Sequence, residues 1–438
     1  MHILHITGYC HAGSLGGTER YILELIQGLD RIGISNTIGW LQKDCSGETL
    51  ASDGVRIVTL PSPPMRVDSP VPEFYEAAEQ LLTKEDPDLL HFHTFGLSEA
   101  ALAKMAKQRG IPYAFTYHSP AWTCRRETML LYGKVPCDGE VRAWRCSVCQ
   151  SEERLGLGQL AGHGAAAASM AIGWTTMPSG ITPLRRRSAF FYDTLRYGRR
   201  LRHFLGGCDL VVSCCDWSGP VLRRNGAREE HMVHCAQGVP GTVATALQAE
   251  RKNCAETKAT EFVIGYVGRL VEVKGVHILM EAFSRLAEKE VRLRVVGWEP
   301  ENAALAYARR IQKMAESDSR IELIPKTTFA TTVAEYQKLS LLAIPSIWLE
   351  TGPLTLLEAL SMSIPVYGSN RIGQLDLLRE FGQIVEPNTP DAWHAALTRA
   401  LLQWRQGGWN AQRKTSLMRT MAEVATQMAT WYRRVITN

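Results

Sequence analysis

FVIGYVGRLVEVKGVHILMEAF, residues 262–283, reads as a buried strand, a short basic loop and a helix in direct succession. The run 262–267 is apolar and β-prone. Gly268-Arg269 ends it, and Lys274-Gly275 stand just before the apolar residues take up helical spacing. The same unit recurs downstream, where RLRVVG (292–297), IELI (321–324), LLAIP (341–345) and IPVYG (364–368) are each separated by a helical segment. The pattern also runs upstream, through HILHIT (2–7), VRIVTL (55–60), DLLHFH (88–93), PYAFTYH (112–118) and DLVVSC (209–214). Between the first two, residues 18–32 place Tyr21, Ile22, Leu25, Ile26 and Leu29 on one helical face. Strands alternating with helices predict parallel, doubly wound sheets. The polar, Gly- and Ala-rich stretch 237–261 separates two such series. The expected domains are therefore 1–240 and 241–410, followed by a helix over 411–438.

With 438 residues, the chain is too long for one ordinary core and suits two α/β domains. Its 45% hydrophobic and 21% charged residues exclude a disordered chain. The net charge of +5 is unevenly placed: residues 119–206 hold 13 Lys/Arg against 6 Asp/Glu. One basic patch on a near-neutral body points to an anionic surface or substrate, not to nucleic acid. The first residues read as a strand instead of a signal peptide, and no apolar run is long enough to span a bilayer. Residues 155–181 come nearest and read as a loop or loosely packed helix. Eleven cysteines without a secretory signal imply a reducing, cytoplasmic setting.

The chemistry concentrates after the strands. In WLETGPLTLLEAL, Glu350 follows the strand 341–345, and Pro353 opens a helix that contains Glu358. Eight positions make a little over two turns, so both carboxylates can serve one site and accept hydrogen bonds from hydroxyls. Alone, the pair reads equally as a helix cap and a solvated face residue. Arg269 and Lys274 beside a helix N-terminus supply a diphosphate site, and Gly373 in SNRIGQLDLL offers a third phosphate-facing backbone.

Gly-Gly-Thr-Glu (16–19), Gly-Arg…Lys-Gly (268–275) and E-x7-E (350–358), in that order, resemble the family 4 retaining glycosyltransferases. The resemblance covers nearly the whole chain. It implies a GT-B fold, two Rossmann-like domains facing a central cleft, with the donor bound by the second. It also implies transfer of a sugar from a nucleotide-diphosphate-sugar to a glycan or lipid-linked acceptor, as in cell-surface polysaccharide synthesis. No cofactor is then required for catalysis. By this match Arg269 and Lys274 hold the diphosphate, Glu350 meets the donor sugar, Glu358 meets the ribose, and Gly16, Gly17 and Gly373 approach the donor. His118 corresponds to the active-site histidine; His91 and His93 read as cleft residues or core. Three positions depart from the family pattern: Gln237, Ile372 and Asp376. The alternatives are a GT-B epimerase or phosphorylase and a non-catalytic nucleotide-sugar or lipid-binding partner of a membrane assembly. A nicotinamide dehydrogenase is disfavoured, because GYCHAGSLGGTE is not a Gly-x-Gly-x-x-Gly turn.

Two features fall outside this pattern. Within the expected insertion 119–187, Cys124, Cys137, Cys146 and Cys149 have spacing suited to a structural zinc, with four reduced thiols as the other reading. Residues 185–205 read as a basic helix carrying Phe191, Leu195, Leu201 and Phe204, suited either to an anionic membrane at the inner face or to a core with a solvated basic side.

Overall fold

The alternation of strands and helices builds two separate parallel sheets in the computed structural model, which describes residues 1–8, 16–42, 47–50, 55–61, 72–155, 159–175, 190–241, 261–299, 305–326, 329–407 and 418–437. One unit comprises Met1–Ala236 with Ala422–Asn438, and the other Gln237–Met421.

The first unit contains β1 (His2–Thr7), β2 (Ser35–Gln42), β3 (Gly47–Leu50), β4 (Arg56–Pro61), β5 (Leu89–Phe92), β6 (Tyr113–Tyr117), the short hairpin β7 (Leu130–Leu131) and β8 (Val135–Pro136), β9 (Leu210–Ser213) and β10 (Met232–His234). Eight of these form one sheet in the order β10-β9-β6-β5-β1-β2-β4-β3. Only β3 runs antiparallel, against β4. The chain winds from β1 to one side, then returns to place β5 on the other, so the topological switch lies between β1 and β5. Ligands of doubly wound sheets collect beyond the carboxyl ends of the strands at such a switch.

Helices Gly17–Arg31, Pro72–Glu85, Leu97–Gln108 and Phe190–Gly207 cover this sheet. Helix Phe190–Gly207 turns Tyr197, Leu201, Phe204 and Leu205 into the core with Phe92, Phe95 and Phe115. Each such burial is worth about 1.5–3 kcal/mol. Arg199, Arg202 and His203 stay exposed. Of the four apolar residues read on this helix, Leu201 and Phe204 are spent on the core, while Phe191 and Leu195 are half-buried. Residues 185–189 lie outside the described residues. The stretch 155–181 contains a regular helix, Gln159–Thr175, which packs through Ala166 against Val148 of helix Ala143–Leu155. Among the described residues no helix is long and apolar enough to cross a membrane.

The second unit holds β11 (Phe262–Val267), β12 (Val291–Trp298), β13 (Ile321–Pro325), β14 (Leu341–Ile344), β15 (Val366–Ser369) and β16 (Gly382–Val385), all parallel, in the order β13-β12-β11-β14-β15-β16. Its switch lies between β11 and β14. The last helix, Met421–Thr437, belongs with the first unit and buries Val424, Met428 and Tyr432 there.

Candidate active site

Lys274 lies after β11 and Glu350 after β14, so the two strands flanking the switch deliver them to one place. Lys274 Nζ donates to Glu350 Oε2 at 2.7 Å. The other oxygen, Oε1, accepts from Ser346 Oγ. Glu350 is only 5% exposed, and its backbone N–H is tied to Arg371 O at 2.8 Å. The carboxylate thus meets two donors of its own unit, which offset the cost of burying its charge. Lys274 Nζ also stands 5.3 Å from the Trp348 ring centroid, a cation–π contact.

Gly275 makes this approach possible. Its φ of +71° is left-handed, and a Cβ there would fall on the Pro345 carbonyl oxygen and 3.0 Å from its carbon. Any side chain would push apart the two loops that carry Lys274 and Ser346. Arg269 is exposed, and its guanidinium makes no ion pair among the described residues. A fixed cation and an exposed one therefore stand on the same β-to-α loop, a suitable arrangement for an incoming dianion.

Glu358 lies on helix Leu354–Ser361, is 3% exposed and accepts from Tyr336 Oη at 2.8 Å. The solvated-face reading of Glu358 is excluded, and so is the reading of Glu350 as an exposed helix cap. Pro353 is the N-cap, one residue before the helix. Gly373 is buried two residues ahead of helix Leu375–Phe381.

Sequence reasoning missed a polar cluster here. Gln237 Oε1, Trp348 Nε1 and both amide atoms of Gln374 are buried without a hydrogen-bond partner among the described residues. Gln237 Oε1 and Gln374 Oε1 lie 3.1 and 3.4 Å from where a Gly352 Cβ would sit. Leaving a buried polar atom unsatisfied costs about 1–3 kcal/mol, so a cluster of them beside Glu350 marks a place for a hydroxyl-rich ligand. The signal available in the sequence was the departure at Gln237 and the amide of Gln374 directly after Gly373.

In the first unit His118 directly follows β6 and is 7% exposed. It belongs to a buried chain: His118 Nε2 meets His93 Nδ1 at 3.0 Å, His93 Nε2 meets His5 Nδ1 at 3.0 Å, and His5 Nε2 meets Asn36 Oδ1 at 3.0 Å. His91 branches from it, held by Thr116 Oγ1 at 2.7 Å and Tyr432 Oη at 2.7 Å. Burial pushes His5 down to about 4 and His118 to about 3. His91 and His93 fall well below the usual histidine range for the same reason. All four are neutral at pH 7. His5, His91 and His93 are near enough to share a metal ion. However, all six of their ring nitrogens already sit in hydrogen bonds, which makes the group a network.

Gly16 is the N-cap of helix Gly17–Arg31, and a side chain there would displace the Glu19 carboxylate folded back over it. Most of the preceding loop, residues 9–15, lies outside the described residues. The four cysteines of the expected zinc site are gathered in one place: Cys137, Cys146 and Cys149 all lie within electrostatic reach of Cys124, and Cys146 also of Cys137. Four thiolates around zinc stand about 3.8 Å apart, given a Zn–S distance of about 2.3 Å. No three of Cys124, Cys137, Cys146 and Cys149 approach within 4.8 Å of one another. Two of the sulfurs accept backbone hydrogen bonds: Met129 N donates to Cys124 Sγ at 3.3 Å, and Tyr132 N to Cys149 Sγ at 3.1 Å.

Residues 15–142 match the Glycosyltransferase Family 4 model, and residues 248–414 the model of glycosyl transferases group 1. The chain is similar to D-inositol 3-phosphate glycosyltransferase of Corynebacterium urealyticum, with 30% identity over 172 residues, 37% of this chain and 39% of that protein. The match thus spans well under half of that curated relative. Sucrose-phosphate synthase from Thermosynechococcus elongatus superposes with a TM-score of 0.67 at 18% identity, over 100% of this chain and 99% of that one. Anabaena HepE in complex with UDP and glucose gives 0.64 at 13% identity, over 99% and 100%. At these identities the likeness establishes the fold, which is GT-B. One family match falls in each half and together they cover more than half of the residues: the chain belongs to the family 4, group 1 glycosyltransferases.

Proposed function

We propose that this protein transfers a sugar, with retention of anomeric configuration, from a nucleotide-diphosphate-sugar to a glycan or lipid-linked acceptor in building a cell-surface polysaccharide. The observation that carries the reading is the Lys274–Glu350 pair at the β11/β14 switch, beside the exposed Arg269. Cleaving a glycosyl–phosphate bond sends its electron pair to a phosphate oxygen. Fixed cations at that oxygen stabilise the charge as it develops. Arg269 and Lys274 take this role. The acceptor oxygen bonds to the anomeric carbon on the face the diphosphate leaves, and its proton passes to a departing phosphate oxygen. No carboxylate pair of the hydrolase kind is needed.

Glu350 orients Lys274 and accepts from hydroxyls of the donor sugar, while Gln237 and Gln374 supply the amides that complete its recognition. Glu358 serves the ribose, Gly373 the phosphates, and Gly16 and Gly17 admit the donor to the first loop. His118 meets the reacting sugar. HepE was solved with UDP and glucose, which supports a uridine donor as the first to test.

The test is thermal-shift binding of UDP, GDP and ADP and their sugars to the wild type and to Arg269→Ala, followed by NMR of the product formed on added acceptors. A ligand that binds only the folded chain raises its melting temperature by mass action. One nucleotide series should shift the melting point, the shift should shrink in Arg269→Ala, and the new linkage should keep the donor's anomeric configuration. An inverted product, or no shift with any nucleotide, rejects the proposal.

A further inference from the structure

The buried histidine chain ends at a residue whose orientation is set independently. Asn36 Nδ2 lies 2.7 Å from Asp30 Oδ1 and 2.7 Å from Ile34 O. Both are acceptors only, so the NH2 group must face them, and Oδ1 must face His5. His5 Nε2 therefore carries the proton. Because His5 is neutral, its Nδ1 has a lone pair, and His93 must donate to it from Nε2. The same step repeats once more: neutral His93 offers Nδ1, and His118 donates from Nε2. The rings are aligned for this. Successive centroids stand 5.3 Å apart with interplanar angles of 18° and 22°. That spacing is what nearly coplanar imidazoles give when joined edge to edge through N–H···N bonds of 3.0 Å.

We propose that Asn36 is a positioning residue for His118: through His5 and His93 it holds the His118 proton on Nε2, leaving Nδ1 as a hydrogen-bond acceptor for a sugar hydroxyl. The inference rests on the reading of His118 as a substrate-facing residue. It adds a direction that the reading lacks. His118 accepts from the sugar and does not donate to it, and the residue that decides this lies three hydrogen bonds away, on β2. The half-buried Asn36 can be replaced without opening the core.

The experiment is 15N NMR of the full chain labelled at histidine, with signals assigned through His118→Gln and His93→Gln. In the wild type at pH 7.5, His118 should show a protonated Nε2 and an unprotonated Nδ1. Asn36→Lys replaces the acceptor by a donor that can pair with Asp30, and should reverse the chain so that His118 carries its proton on Nδ1. Transfer should then fall at least about tenfold in kcat, the worth of one hydrogen bond to the sugar, with nucleotide binding unchanged. Asn36→Asp restores an acceptor and should keep the wild-type tautomer.

A wild-type His118 protonated on Nδ1 or present as a mixture, or a tautomer unchanged in Asn36→Lys, overturns the relay. A reversed tautomer with undiminished transfer overturns the contact between Nδ1 and the sugar. Absence of nucleotide binding by the wild type instead rejects the functional reading, and the tautomer result stands apart from it.

Discussion

Replacing Gly275 by alanine tests the geometry of the donor-side loops. Two costs act at this position. The left-handed φ of +71° costs an alanine roughly 1–2 kcal/mol. The new Cβ would also overlap the Pro345 carbonyl, which is backbone and yields only by moving the loop, and overpacking of this kind costs about 1–3 kcal/mol. Gly407 separates the two: it has φ +75° in the same unit, with nothing within 4 Å of its Cβ position. Gly407→Ala should show the conformational cost alone, while Gly275→Ala should lose about 1–3 kcal/mol more. For a unit of this size that difference is roughly 2–12 °C in melting temperature. Scanning calorimetry of both variants measures it, and nucleotide titration of each should show weaker binding for Gly275→Ala only, because Pro345 adjoins Ser346 and so the Glu350 carboxylate. Equal melting temperatures for the two variants would refute the packing argument.

Four further outcomes are expected. The neutral histidines make the first unit acid-labile: unfolded histidines bind protons near pH 6.5, whereas His5 and His118 resist until about 4 and 3, so stability is fully present above pH 6.5 and lost as pH falls. Each contributes about 1.4 kcal/mol per pH unit in that window, and urea midpoints that stay constant from pH 7.5 to 5 would contradict this. Tyr432→Phe removes the hydrogen-bond partner of buried His91 Nδ1 and should cost the first unit about 1–3 kcal/mol without altering nucleotide affinity. Lys274→Met leaves the buried Glu350 without its cation, a loss of about 3–5 kcal/mol, and adding Glu350→Gln should recover part of it; urea denaturation of the single and double variants reads this directly. Gln374→Leu removes two unsatisfied amide atoms, so it should stabilise the free protein by about 1 kcal/mol yet weaken the nucleotide-sugar relative to the bare nucleotide; loss of stability in this variant would show the amide to be paired.

Most strands were legible because burial on both faces of a parallel sheet leaves unbroken runs of Val, Ile and Leu. Six strands escaped: β2, β3, β10, β16 and the two-residue β7 and β8. β2 mixes Ser35, Asn36 and Gly39 with its buried Ile38 and Leu41, and β16 is only four residues long. The motif glycines and Arg269, Lys274 and Glu350 were visible because each sits at a strand end or helix start, and Glu358 because it follows inside the next helix. His118 was visible by position alone. Its partners were not, since His5 comes from β1, Asn36 from β2 and His93 from the end of β5.

Local order along the chain determined that strands and helices alternate, that two series exist, and which side chains emerge at the strand ends. Those features depend on neighbours within a few residues, where periodicity and turn chemistry act. Only the tertiary structure decided which strand ends meet. Strand order brings Lys274 to Glu350 across 76 positions and Tyr432 to His91 across 341. It also decided that the apolar side of helix Phe190–Gly207 faces the core. Such pairings are set by which sheet edge each crossover reaches and by what must be buried there. The same contacts fix protonation. A histidine's proton is placed by the partner the fold gives it, and no stretch of sequence around His118 names Asn36.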